Sequence, residues 1–207
     1  MLRVCSFFTN AKYKKLVTQM ETSVKPFGYP VSIHEMPHHA DPETAWGINL
    51  RHKPEVVLRT MDAYPEDDVL YMDADCEMMA VPELLFRHRD ADVALNFIRP
   101  KHPHGCVLYF KAKARGEYGY KVAKDWKDSY ELYPHIRLDE IHFYYSLKAN
   151  QGLPGFHLLS LPFSYTWVTW TAGHAYPGAK PIIRHHGEGR GPDKSVVLQE
   201  AKFHLPI

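Results

Sequence analysis

A short apolar run near the middle of the chain constrains the fold more than any other feature. Residues 69–72 are Val-Leu-Tyr-Met, and Asp73 and Asp75 follow directly. A continuous apolar run of this length is typical of a strand buried on both faces, as in a parallel sheet covered by helices. The two carboxylates then lie at the carboxyl end of the strand, which is where open α/β sheets bind ligands.

Asp73 and Asp75 offer two hard oxygen ligands, which suit Mg²⁺ or Mn²⁺ better than a soft metal. The alternative is a polar strand end whose carboxylates face water, because an isolated Asp-x-Asp often occurs by chance. The surrounding sequence therefore has to decide between a cation site and a plain strand end.

Strand-like and helix-like segments alternate along the chain. Apolar runs predict strands at 2–8, 30–34, 69–73, 91–98, 107–110, 158–162 and 181–186. Helical spacing predicts helices starting at Thr9-Asn10 and covering 53–64, 81–86, 114–129 and 138–149, with a loop at 35–48. Alternation of this kind predicts a three-layer α/β/α sandwich with a mostly parallel central sheet.

Composition restricts the partners and the location. The 25 basic and 24 acidic residues give a net charge of +1, which provides no general attraction to nucleic acid or membranes. Basic clusters at 12–15 and 111–115 are either solvated surface or local phosphate contacts. With no apolar stretch of membrane-spanning length and no signal-peptide pattern, we expect a cytoplasmic protein without a membrane partner.

The three cysteines, Cys5, Cys76 and Cys106, lie in or beside apolar segments and have no metal-site spacing. An odd number of cysteines in a cytoplasmic protein predicts buried, reduced thiols.

Further polar residues and glycines recur at defined places along the chain. In order they are Thr9 and Tyr13, Trp46-x-x-Asn49-x-x-x-Lys53-Pro54, Asp73-Ala74-Asp75, Gly105 before the 107–110 strand, Trp126 at the end of a helix, Asp139-Glu140, and Ile183-x-His185 followed by Arg190. With this order and spacing, most of the chain resembles the nucleotide-diphospho-sugar transferases, which are glycosyltransferases of the GT-A fold. The resemblance implies one domain, with a nucleotide-sugar-binding half at 1–98 and an acceptor-side half at 99–207.

The resemblance also implies a divalent cation, Mn²⁺ or Mg²⁺, which neutralises the leaving diphosphate. Asp75 is the first candidate for a direct metal ligand, and Asp73 for the ribose hydroxyls or for the metal through water. His185 is implied as a further metal ligand, and an imidazole favours Mn²⁺. His186 is the fallback, and only one of the two histidines can bind because neighbouring strand residues point in opposite directions.

Lys53 and Arg190 are candidates for the diphosphate oxygens of the donor. Lys53 is alternatively a solvated residue of a first helical turn, and Arg190 a residue of the Gly-rich loop 187–192, which we expect to close over the donor. Thr9 and Tyr13 match the nucleotide-binding edge, although Tyr13 is alternatively a core aromatic.

Asp139 and Glu140 are the candidate catalytic residues, since the family pattern that the chain resembles has an acidic residue followed by Gln or Glu here, in contact with the acceptor or the sugar. The alternative is a pair of helix N-terminal acids stabilised by the helix dipole. Gly105 and His104 are expected on the acceptor side, in a loop that includes 101–104.

These features predict a metal-dependent glycosyltransferase that moves a sugar from a nucleoside diphosphate, with a UDP-sugar as the favoured donor, to an acceptor hydroxyl. A modified base in phage DNA is one acceptor considered, which would place the protein in a bacterium or in the cytoplasm of a phage host. A nucleotidyltransferase is the alternative enzyme, but Phe8-Thr9-Asn10-Ala11 stands where a Gly-rich phosphate loop is expected. A non-catalytic nucleotide-sugar-binding protein is the third possibility.

Overall fold

The computed structural model describes residues 1–39, 45–99, 102–168 and 180–187 of the chain. Within these ranges the strands are β1 (Leu2–Phe8), β2 (Val31–Glu35), β3 (Asp68–Met72), β4 (Cys76–Met78), β5 (Val93–Arg99), β6 (His102–Phe110), β7 (Leu158–Ser160), β8 (Trp167–Val168) and β9 (Ile183–His185). The α-helices are α1 (Ala11–Val24), α2 (Ala45–Leu50), α3 (His52–Ala63), α4 (Glu83–Arg87), α5 (Tyr118–Leu132) and α6 (Asp139–Asn150).

The central sheet has the strand order β2-β1-β3-β6-β5-β7. β1 runs parallel to β2 and β3, and β5 runs parallel to β7, whereas β6 is antiparallel to both of its neighbours. Five of these six strands therefore share one direction. The predicted α/β class with a mostly parallel sheet is confirmed.

The reversed strand β6 follows from a short connection. Only residues 100 and 101 separate the end of β5 from the start of β6. A connection this short joins antiparallel neighbours, whereas parallel neighbours need a crossover of a dozen or more residues. The start of β6, rather than its end, therefore lies at the sheet edge where the other strands finish.

The two faces of the sheet support separate apolar layers, as alternation along β3 illustrates. Leu70 and Met72 pack into the cluster that includes Val17 and Met20 of α1. Val69 and Tyr71 pack into the opposite cluster, which includes residues of α3, α5 and α6. A second sheet, in the order β4-β9-β8, contributes Met78 and other residues to the α1 side and was not predicted.

Local signals explain where α1 begins. The side chain of Asn10 accepts a hydrogen bond from the backbone N–H of Tyr13 at 3.1 Å, which caps the first turn. The predicted helix start after Thr9-Asn10 is therefore confirmed.

The segment 101–104 differs from its prediction, because residues 102–104 belong to β6 and not to a loop. β5 extends far enough to pair Phe97 with Pro103 and Arg99 with His102, with irregular register along the way. Pro103 lies outside the part of β6 that pairs with β3, because that pairing begins at Val107.

Two smaller predictions also need correction. α2 occupies the end of the predicted 35–48 loop, and Trp126 lies inside α5 and not at its end. None of the helices within the described ranges is both long and apolar enough to cross a membrane.

Trp126 provides a test of the packing on the α5 and α6 side of the sheet. It is 0% exposed, and its ring meets Phe143 edge-to-face with a centroid separation of 4.9 Å. We expect Trp126→Ala to lower the free energy of unfolding by about 3–5 kcal/mol, measured by urea denaturation. Leu132→Ala on the same helix is the control, because Leu132 is 71% exposed and its loss is expected to cost less than about 0.5 kcal/mol. Equal losses in the two variants would contradict the assigned packing.

Candidate functional site

The acidic residues after β3 lie in a tight reversal of the chain. The N–H of Cys76 donates to the carbonyl of Asp73 at 2.9 Å, and the chain turns into β4. β4 pairs with β9, with Cys76 opposite His185. This pairing brings a residue from near the end of the chain to the carboxyl edge of the central sheet.

His185 and His186 point to different carboxylates, as strand alternation requires. His185 Nε2 lies 3.2 Å from Asp75 Oδ1, and the carboxylate of Asp75 is largely buried. His186 Nε2 lies 3.2 Å from Glu77 Oε2 and is more exposed. Of the two histidines, the geometry thus places His185 beside the acidic pair.

The donor pair of Asp75 and His185 fits a divalent cation. Two ligands about 2.1 Å from one cation and at right angles to each other lie about 3 Å apart, close to the observed 3.2 Å. Burial alone would lower the pKa of His185, but the charge of Cys106 and the hydrogen bond with Asp75 raise it from 6.5 to about 9. A cation that binds at this pair must therefore displace a proton from the imidazole.

Lys53 is the cation that organises the buried part of the site. Its side chain is 5% exposed, and its ammonium lies 2.7 Å from Asp139 Oδ2 and 3.0 Å from Asp73 Oδ1. It also donates to the carbonyl of Gly105 at 3.2 Å. These three oxygen acceptors match the three N–H donors of the Lys53 ammonium. Because Lys53 is buried, the alternative of a solvated residue in a first helical turn is wrong.

Asp73 is held from two sides. Tyr71, two residues earlier on the same face of β3, donates its hydroxyl to Asp73 Oδ1 at 2.7 Å, and Lys53 pairs with the same carboxylate. Burial raises the pKa of Asp73, Lys53 opposes the rise and Asp75 adds to it. Tyr71 was not predicted as a site residue, although its position two residues before Asp73 was a usable signal.

Gly105 allows helix α6 to approach β6 closely. A Cβ atom at this position would lie only 2.7 Å from Asp139 Oδ2 and 3.6 Å from Glu140 Cγ. Any side chain here would therefore displace the carboxylate that pairs with Lys53.

The pKa values of Asp139 and Glu140 shift in opposite directions. Burial alone would raise the pKa of Asp139, but Lys53 and the hydrogen bond with Glu140 lower it from 3.8 to about 2. Burial raises the pKa of Glu140 well above its ordinary value of 4.5, and the charge of Asp139 raises it further. These opposite shifts favour an ionised Asp139 beside a protonated Glu140, both in the first turn of α6.

Thr9 and Tyr13 lie at the same sheet edge, just after β1. Tyr13 is half-buried, so it is not a core aromatic. Burial raises the pKa of its hydroxyl, and the charges of Asp75 and Asp73 raise it further. Arg190 and the rest of the predicted closing loop, 188–192, lie outside the described residues.

Two cysteines join the site and were missed as functional candidates. Cys76 and Cys106 are buried, free thiols, and the Cys76 thiol donates to the backbone carbonyl of Cys106 at 3.7 Å. His104 on β6 packs edge-to-face against His185 with a centroid separation of 5.8 Å. Cys76 directly follows Asp75, and Cys106 directly follows Gly105. This adjacency to predicted site residues is the sequence signal that could have identified the two thiols.

The two basic clusters differ in location. Lys111 follows the far end of β6, and Lys111, Lys113 and Arg115 each pair with an aspartate, respectively Asp92, Asp62 and Asp68. The other cluster, 12–15, lies in the first turn of α1 at the site edge, where its three lysines are exposed.

Comparisons with known proteins define the fold. One solved structure is a glycosyltransferase involved in the glycosylation of the major capsid of PBCV-1, with a TM-score of 0.64, 10% identity and coverage of 98% of both chains. Another is the galactosyltransferase LgtC in complex with donor and acceptor sugar analogs, with a TM-score of 0.55, 10% identity and coverage of 98% of this chain and 93% of that one. The chain therefore has the fold of these glycosyltransferases, as the sequence resemblance implies. No protein-family model matches the sequence, and no curated protein matches it.

The central position of Lys53 generates a stability prediction. We expect Lys53→Met to lower the free energy of unfolding by about 3–5 kcal/mol at neutral pH, because it leaves buried carboxylates without their counter-ion. Urea denaturation followed by circular dichroism measures the loss. Lys121→Met is the control, since it breaks an exposed 2.7 Å pair with Asp125 and is expected to cost less than about 1 kcal/mol. Similar losses in both variants would contradict the role assigned to Lys53.

Glu140 generates a prediction about pH. Because its pKa is raised on folding above 4.5, the folded state holds a proton that the unfolded state releases. The associated stabilisation is fully present below pH 4.5 and is lost as the pH rises through the folded pKa. We expect Glu140→Gln, which keeps a hydrogen-bond donor for Asp139, to match the wild type at pH 4 and to become progressively more stable than it above that pH. Parallel stability curves for the two proteins would contradict this assignment.

Proposed function

We propose that the protein is a metal-dependent glycosyltransferase that moves a sugar from a nucleoside diphosphate to an acceptor hydroxyl. One observation carries the proposal: Asp75 and His185 converge to 3.2 Å at the carboxyl edge of the central sheet. In open α/β sheets this edge binds the ligand, and the pair supplies ligands suited to a divalent cation.

We assign Asp75 and His185 as direct ligands of Mn²⁺, which accepts an imidazole more readily than Mg²⁺ does. When bound, the cation supplies a positive charge that stabilises the leaving diphosphate. Asp73 has oxygens already engaged by Tyr71 and Lys53, which favours a role toward the ribose hydroxyls or a metal-bound water. Lys53 acts by positioning Asp73 and Asp139, since its own donors are occupied.

The donor is proposed to lie along the ends of β1 and β3. Thr9 and the half-buried ring of Tyr13 line the nucleotide side, where an aromatic face can pack against a base. Arg190 is retained as the residue for the diphosphate oxygens, and a UDP-sugar is the proposed donor.

The protonation states of Asp139 and Glu140 suggest distinct roles. Asp139 is ionised but buried and bound to Lys53, so it orients its neighbours and is poorly placed to reach an acceptor proton. Glu140 is neutral, and among the described residues its buried Oε2 has no hydrogen-bond partner. We therefore assign Glu140 as the contact to a sugar hydroxyl and Asp139 as the residue that keeps it protonated.

The acceptor is proposed to enter beside His104 and Gly105. DNA is the less favoured acceptor, because the cluster 111–115 is neutralised by aspartates and follows the far end of β6, which leaves only the exposed lysines of 12–15 for phosphate contacts. A hydroxyl on a sugar or another neutral polar group is the proposed acceptor class.

We expect Mn²⁺ with UDP to raise the melting temperature of the wild type, by the equivalent of about 2.7 kcal/mol at 100 times the dissociation constant. Asp75→Asn should abolish this shift because it removes a charged metal ligand. Glu77→Gln is the control, since Glu77 lies two residues away but faces His186, and it should shift like the wild type. A normal shift in Asp75→Asn would contradict the metal assignment.

The products separate the three functional hypotheses. A glycosyltransferase incubated with a UDP-sugar and Mn²⁺ transfers the sugar to an acceptor hydroxyl or, more slowly, to water, and releases UDP in both cases. A nucleotidyltransferase would instead release pyrophosphate from a nucleoside triphosphate and a sugar phosphate. A binding protein would give the thermal shift with neither product.

A further inference from the structure

Soft ligands lie directly beside the proposed hard-cation site. The donor atoms of His104, Cys106 and His185 all lie within 4.8 Å of one another. Cys106 is 2% exposed, whereas His104 and His185 are partly exposed. Solvent and ions can therefore reach the set from the side of the two imidazoles. Nothing in the proposed transfer reaction uses this thiol.

The backbone explains why these three side chains converge. His104 and Cys106 are two residues apart on β6, so alternation places them on one side of the strand. His185 arrives from β9 through the pairing of that strand with β4. The convergence therefore follows from the position of His104 and Cys106 on β6 and from the pairing of β9 with β4.

The chemistry of this set differs from that of the acidic pair. One thiolate and two imidazoles are borderline-soft ligands that suit Zn²⁺ or Co²⁺, whereas Mn²⁺ prefers oxygen. Tetrahedral ligands at 2.0–2.3 Å from zinc lie roughly 3.5 Å apart, so small side-chain movements would close the set around an ion. Three protein ligands leave one position open for water or another ligand.

A second three-residue set, Asp75, Cys76 and His185, is equally compact but less suitable. The Cys76 thiol donates to the carbonyl of Cys106 at 3.7 Å, so a cation that bound this thiol would break the hydrogen bond. The other two members, Asp75 and His185, are already assigned to the proposed Mn²⁺ site.

We propose that His104, Cys106 and His185 form a second cation site that is selective for Zn²⁺ and shares His185 with the proposed Mn²⁺ site. Zinc at this site takes His185 away from Asp75, so the two cations exclude each other. Zinc binding stands on the geometry alone. Inhibition of sugar transfer by zinc rests in addition on the proposed function.

Cobalt provides a direct probe of the thiolate ligand. The metal-free full chain is titrated with Co²⁺, and a near-ultraviolet thiolate-to-cobalt charge-transfer band is expected in the wild type. The band should disappear in Cys106→Ser and persist in Cys76→Ser and Asp75→Asn. Zinc affinity is measured by competition with a chromophoric chelator. In Cys106→Ser it should fall by more than about 100-fold, which is the upper end of the loss caused by removing a residue that only supports a ligand.

His104→Ala gives an independent test if Cys106→Ser folds poorly. His104 is partly exposed, and its loss should likewise weaken zinc binding, with circular dichroism confirming the fold. Absence of the band in the wild type, or its loss in Cys76→Ser with retention in Cys106→Ser, would overturn the proposal.

Zinc inhibition separates this inference from the proposed function. Zinc is expected to inhibit Mn²⁺-supported transfer in the wild type but not in Cys106→Ser. A cobalt band without transferase activity would support the zinc site and count against the transferase. Transferase activity without a cobalt band would support the transferase and overturn the zinc site.

Discussion

The buried ammonium of Lys53 is the interaction on which the rest of the site depends. It joins α3 to the end of β3 through Asp73, to the start of α6 through Asp139, and to β6 through the carbonyl of Gly105. Without a counter-ion, the carboxylates of Asp73 and Asp139 would repel each other in a poorly solvated interior. They would then take up protons and lose their charge. Gly105 is part of the same constraint, because only a residue without a Cβ lets α6 come close enough for Asp139 to reach the ammonium.

The balance of charges explains why the site suits a divalent cation. When ionised, Asp73, Asp75, Asp139 and the Cys106 thiol contribute four negative charges, against two positive charges from Lys53 and the protonated His185. The site is therefore negative by two charges, and a divalent ion that replaces the His185 proton reduces this excess to one. A diphosphate then requires further positive charge, for which Arg190 is the remaining candidate.

The parts of the fold that were predictable depend on short-range patterns. The strand ending at Asp73, the start of α1 at Asn10 and the acidic first turn of α6 each follow from the spacing of apolar residues, a capping side chain or a helix dipole. The contacts of Lys53 were not predictable in this way, because its partners come from distant segments and their approach depends on topology. The cysteines were missed for the same reason, since a metal site assembled from two sheets has no characteristic spacing in the sequence.

The direction of β6 decides which chemistry lies at the ligand-binding edge. Because β6 is antiparallel, Gly105 and Cys106 lie beside Asp73, with the N–H of Asp73 donating to the carbonyl of Cys106 at 2.9 Å. If β6 were parallel to its neighbours, its C-terminal end and Lys111 would lie at the ligand-binding edge. Gly105 would then lie roughly 14–17 Å from that edge. The site would then present a second basic cluster in addition to the exposed lysines of α1. The observed strand direction instead places a glycine, a thiol and an imidazole beside Asp73.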